Sequence, residues 1–275
     1  MSDPVPAVTE AAATGEIAAI FDDIRSVLGV EVVNLVWRHL ATFDGALSWT
    51  WSTLRPLYAH GTLQEEARKL RACLALPQVQ TIRPEVFAAI GLPASALDPI
   101  RSILAAYDHT NAMALFAFSA LRVRLGPSDE QSPDVSVASR PAPQPESLIA
   151  LPRLPRMEEL SAETAALVME LNKLGTDRTQ PSLASMYRHL AYWPPYLALA
   201  WAILTPLHAS GALADAIRAM RGEAERRAAV IKLHLGRAAL PSPAIGPAVT
   251  AAIEPFVGDA ILKMTVICAL LRSAT

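Results

Sequence analysis

The sequence predicts an all-α protein of two homologous multi-helical halves forming an internal pseudo-dimer, and three observations carry that expectation. The first is a repeat: residues 38–63 align with 188–213 at twelve of twenty-six positions, including Arg38/Arg188, His39/His189, Trp51/Trp201, Pro56/Pro206 and Gly61/Gly211, at an offset of 150. Register held over that length indicates a duplicated structural unit rather than similar composition. The second is that leucine, alanine and glutamate dominate the regular segments, with little strand-like alternation. The third is helical periodicity, as in EIAAIFDDIRSVL, where Ile17, Ile20, Phe21, Ile24 and Leu28 recur every three to four residues.

From the amino end, GEIAAIFDDIRSVLG at 15–29 reads as an amphipathic helix and corresponds to AETAALVMELNKLG at 162–175. The RHLA segments follow in each half, then LQEEARKLRACLA and LADAIRAMRGEAERRAAVIKLHL, both natural helices. Each half closes on an apolar helix, around 98–122 and 247–272, ending in SALR and ALLR at the same offset; these are expected to form much of the inner packing. The halves are therefore placed at 1–124 and 158–275. Residues 125–157, beginning LGPSDEQSPDVSVASRPAPQPE, are rich in proline and polar residues and read as a connector.

With 52 % hydrophobic residues, the 275-residue chain can bury substantial cores. A net charge of -2 with 18 % charged residues removes the basic field of a general nucleic-acid binder. The start, MSDPVPAVTEAAATGEI, carries no secretory pattern, so a cytoplasmic location is expected. Asp108, His109 and Asn111 interrupt one apolar run and Glu254, Asp259 and Lys263 another, which favours buried helices over membrane spans. Cys73 and Cys268 form no CxxC pair and read as structural thiols. No HExxH, glycine-rich phosphate loop, GxSxG or EF-hand pattern occurs, so no metal or organic cofactor is expected.

Chemistry-bearing candidates are few. Asn111 places an amide in an apolar helix, where it must find a partner; it either orients water or a small carboxylate, or bonds a neighbouring helix. Asp108 and His109 join it or form a local cap. Asp259 and Lys263, at i,i+4, suggest an ion pair along one face, with Asp259 a base if burial raises its proton affinity. Glu254 before Pro255 reads as a cap. The Arg-His pair of each repeat supports the scaffold or serves substrate; its presence in both copies favours scaffold duty. Trp37, Trp49, Trp51, Trp193 and Trp201, with Phe43 and Tyr187, are expected to pack between the halves.

NLVWRHLATFDGAL, HTNAMAL and SLASMYRHLAYWP together resemble the DehI-type, group I 2-haloacid dehalogenases over nearly the whole chain, on order and spacing rather than any single motif. The resemblance implies a concave, cofactor-free site between the halves for a small organic acid. There an aspartate activates water for direct attack on the halogen-bearing carbon, both enantiomers react, and the enzyme is commonly a homodimer. Asn111 matches the family's active-site asparagine, and Ser185 falls beside the catalytic aspartate. At the aspartate position itself stands Met186, whose thioether has no useful proton affinity near neutrality. Val32, Leu35 and Ala114 take the places of a pocket tryptophan, phenylalanine and tyrosine, and Tyr187 adjoins them. Three readings stay open: a dehalogenase whose base is relocated to Asp259, Asp108, His109 or His189; a different enzyme on a small carboxylate; and a catalytically inactive small-molecule binding protein.

Overall fold

The computed structural model describes residues 5–126, 151–235 and 240–275. Most of the expected connector, residues 127–150, lies outside them. The first half runs α1 (Gly15–Leu28), α2 (Leu35–Leu40), α3 (Ala46–Ala59), α4 (Thr62–Cys73), α5 (Pro84–Ala89) and α6 (Leu97–Arg124). The second runs α7 (Ala162–Lys173), α8 (Ser185–Leu190), α9 (Pro194–Ala209), α10 (Ala212–Ile231), α11 (Ile245–Pro255) and α12 (Ile261–Ala274), with a π-helical turn, Phe256–Ala260, between the last two. α2 and α8 start 150 positions apart, and so do α4 and α10.

Local chemistry explains the repeated identities. Gly61 and Gly211 precede α4 and α10 with φ of 76° and 83°, a left-handed conformation that a side chain would strain. Pro56 and Pro206 sit in the last turns of α3 and α9, where a lost amide donor helps to end the helix. α1 buries Phe21, Ile24 and Leu28, the inner edge of its apolar stripe.

The two long apolar segments form the centre. α6 is buried without interruption from Thr110 to Leu121, and residues 259–268 are buried in the second half. α6 packs on α4 of its own half and on α10 and α12 of the other, so one helix holds both halves together. Among the described residues, no single helix is long and apolar enough to cross a membrane.

The structure corrects two sequence expectations. Trp37 packs on Trp51 (5.3 Å between ring centroids, edge-on), Tyr58 and Phe118, all from the first half, so this aromatic cluster fills one half rather than the seam between them. Trp201, by contrast, is 42 % exposed. The i,i+4 pairing of Asp259 with Lys263 also gives way. The π-helical turn puts Asp259 in a wider winding, where residues four apart no longer stack. The fully buried Lys263 donates instead to the main-chain carbonyl of Asn172 at 2.6 Å, and Asp259 lies 4.0 Å from Arg178 Nε.

Burial pushes the Lys263 amine down to about 8, partly offset by the charge of Asp259. The folded state therefore binds fewer protons than the unfolded chain between that value and the ordinary lysine value of about 10.4. Stability should rise with pH across this window. Lys263→Met should flatten that rise, read as the difference between wild-type and variant urea midpoints at about pH 7.5 and 10.

Candidate functional site

Two equivalent turns, one entering α2 and one entering α8, are pinned in place by polar side chains, half-buried in the first case and buried in the second. In the first half Glu10 accepts the Val33 amide at 3.0 Å and pairs with Arg25 at 2.5 Å, while Arg38 Nε donates to the Val33 carbonyl at 3.1 Å. In the second, the Asn172 amide, 1 % exposed, does the same work alone. Its Nδ2 donates to the Ser182 carbonyl at 3.0 Å and its Oδ1 accepts the Ala184 amide at 3.0 Å.

Between these turns, α6 and the π-helical turn lies a cavity of ≈ 70 Å³. That is several times the about 10–15 Å³ one water requires, and suits a molecule of a few heavy atoms. Residues 150 positions apart meet in its wall: Val33 and Leu183, Asn34 and Ala184, Leu35 and Ser185, Val36 and Met186, Thr110 and Ala260, Asn111 and Ile261. A space lined by the same positions of both repeats lies on the pseudo-two-fold axis relating them. In four of these pairs one member is polar and the other apolar, so the two walls differ chemically although their backbones correspond.

Of the residues singled out in the sequence, Asn111, Val32, Leu35, Ser185 and Met186 stand together in this wall, and Asn111 is 6 % exposed. Ala114 and Tyr187 are buried outside the lining. Asp108 turns to the opposite side of α6, onto a second cavity of ≈ 290 Å³, where it pairs with Arg272 and lies 3.6 Å from Arg71. His109, next along the helix, also lies outside the lining; burial, then Arg71, lowers its proton affinity. Asp259, on the π-helical turn, does not reach the lining either. Among the described residues, the cavity wall holds no carboxylate, histidine, lysine or arginine.

Sequence reasoning missed Tyr107. It lines the cavity one helical turn before Asn111, and its hydroxyl lies 2.8 Å from His189 Nδ1. Ser185 reaches the same phenol oxygen, and the guanidiniums of Arg38 and Arg188 act on it from the two RHLA segments. Burial raises the Tyr107 phenol above its usual range, so it stays neutral. Burial, with Arg188 and Arg38, lowers His189 to about 4, only partly opposed by the Pro152 carbonyl. The signal was present: Tyr107, Thr110 and Asn111 share a helical face at i, i+3 and i+4. His39, the counterpart of His189, instead meets the Pro6 carbonyl at 2.7 Å and the edge of Phe43.

This is a helical protein with a small, mostly apolar cavity on an internal pseudo-two-fold axis, with amide and hydroxyl groups from both halves in its wall. It has the all-α, two-domain fold of D-2-haloacid dehalogenase structures. A crystal structure of a D-2-haloacid dehalogenase mutant superposes with a TM-score of 0.81 over 98 % of this chain and 95 % of that one, at 16 % identity. A D-2-haloacid dehalogenase complex with L-LA gives 0.80 over 99 % and 96 %, also at 16 %. In sequence, the chain is 24 % identical over 205 residues to an (R)-2-haloacid dehalogenase from Rhizobium sp. (strain NHG3), covering 73 % of this chain and 77 % of that protein. It is 25 % identical over 206 residues to a configuration-inverting 2-haloacid dehalogenase from Alcaligenes xylosoxydans xylosoxydans, covering 72 % and 68 %. No protein-family model matches the chain.

Proposed function

We propose that the cavity on the pseudo-two-fold axis is the active site of a hydrolase acting on a small 2-haloalkanoate. Water displaces halide directly at the substituted carbon, inverting its configuration and leaving a 2-hydroxy acid, with no metal or organic cofactor called on. The observation carrying this reading is that Asn111, Ser185 and position 186 stand together in the wall of the cavity where the halves meet. The fold shared with D-2-haloacid dehalogenase structures and the two curated relatives support it. Asn111 and Ser185 hold the water and orient the substrate, and Leu35, Val36, Ile261 and Met264 cover its apolar part. Val32 and Leu35 add aliphatic surface to the wall beside the substrate.

The lack of a carboxylate in the wall among the described residues, with Met186 at the critical position, favours one alternative: a cavity that binds a small acid without turning it over. Halide release from each enantiomer of 2-chloropropionate and 2-bromopropionate separates the two. Release above a boiled-protein control, yielding inverted lactate, is expected. Saturable binding of both acids with no halide released would establish the alternative.

A further inference from the structure

Displacing halide with water liberates a proton, and among the described residues the cavity wall offers no charged group to take it. Resting on the hydrolytic reading above, we propose that Tyr107 and His189 form the proton-accepting relay of this site, Tyr107 touching the attacking water and His189 receiving the proton behind it. Tyr107 lines the cavity within one helical turn of Asn111, and its oxygen is 2.8 Å from His189 Nδ1. His189 is fully buried, so the phenol is its route to the cavity.

Protonation states agree with this geometry. The relay uses the neutral imidazole that carries its hydrogen on Nε2, so that Nδ1 accepts from the Tyr107 hydroxyl. In the reaction the water oxygen bonds to carbon as the carbon–halogen bond breaks, and halide leaves with that electron pair. One water proton passes to the Tyr107 oxygen while the Tyr107 proton passes to Nδ1. The products are the 2-hydroxy acid, halide and an imidazolium, which returns its proton through the Tyr107 oxygen to water entering the cavity as halide departs. A base this weak is not disqualified, since its proton affinity resembles that of a free aspartate, about 3.9.

The relay exists in one half only. Residue 257, 150 positions beyond Tyr107, is valine, and His39 meets a main-chain carbonyl instead of a phenol. His189 also faces a main-chain carbonyl, that of Pro152, but the group at its Nδ1 is the Tyr107 phenol, which His39 lacks. Among the described residues, the charged groups acting on the His189 ring are Arg188 of α8 and Arg38 of α2, with Tyr107 of α6 across the hydrogen bond. α7 and α9, also packed on α8, bring no charge to bear on it.

The test measures halide release from both 2-chloropropionate enantiomers between about pH 3 and 8 by wild type, Tyr107→Phe and His189→Gln, with folding checked by circular dichroism. Tyr107→Phe is expected to lose about 10²–10⁴-fold in kcat, the range of a positioned acid–base group, with KM within about threefold. His189→Gln should lose a similar factor and also the fall in wild-type kcat/KM below about pH 4. Folded variants within threefold of wild-type kcat, with the acid limb unchanged, would overturn the relay while leaving the hydrolytic reading standing. A wild type that binds the acids yet releases no halide would overturn both.

Discussion

Met186→Asp should speed halide release by about 10²-fold, because it puts a carboxylate, the stronger acceptor for a water proton, directly in the cavity wall. The side chain at 186 is 1 % exposed and, among the described residues, has no cation beside it in the wall, so the new carboxyl should titrate above the ordinary aspartate range. The acid limb of kcat/KM should accordingly move to higher pH than in wild type. Stability should fall by about 2–5 kcal/mol, as for other losses of a buried methionine, with burial of a polar group added. The informative protein is the double variant Met186→Asp/Tyr107→Phe. A carboxylate in the wall makes the phenol dispensable, so the double variant should recover most of the activity that Tyr107→Phe loses. A folded double variant as slow as Tyr107→Phe would show that the phenol shapes the cavity rather than moving a proton.

Asn172→Ala should combine a large loss of stability with damage to the site. This amide bonds the Ser182 carbonyl and the Ala184 amide, and its own main-chain carbonyl receives the buried Lys263. Truncation orphans two main-chain groups at the entrance to α8, each costing about 1–3 kcal/mol. A fall of about 2–4 kcal/mol is expected, or roughly 5–15 °C in Tm for a chain of this size. Ser182 to Met186 lose their anchor, so KM for any bound acid should rise about tenfold or more. Asn172→Asp should be milder at low pH, where a protonated carboxyl can still donate one bond.

The sequence made the fold legible because duplication repeats its own evidence. The RHLA register, paired prolines and paired glycines each report a turn or helix end that recurs 150 positions later. Part of the site was legible for another reason: Asn111 is a polar residue in an apolar helix, and Ser185 and Met186 sit at the start of a helix known from its twin. Asp108 was misleading, since adjacent helical residues point about 100° apart and the one after Tyr107 faces another cavity. The tie between Tyr107 and His189 spans 82 positions and depends on how α6 crosses α8, which no local pattern encodes. The Asp259–Lys263 pairing failed because the rule of four assumes an α-helix, and the winding changes at Phe256.

The cavity's place on the internal axis bears on how such a site could arise. Were the two halves identical separate chains, every group lining the cavity would appear twice. A guest without two-fold symmetry would then sit equally well in two orientations, with only about half the bound molecules facing any one reacting group. Joining the copies in one chain lets each position be altered alone. Here Asn111 opposes Ile261, Thr110 opposes Ala260, Asn34 opposes Ala184 and Ser185 opposes Leu35. In one chain, a guest held as proposed above has one pose in place of two equivalent ones, and the two histidines are able to keep different groups at Nδ1.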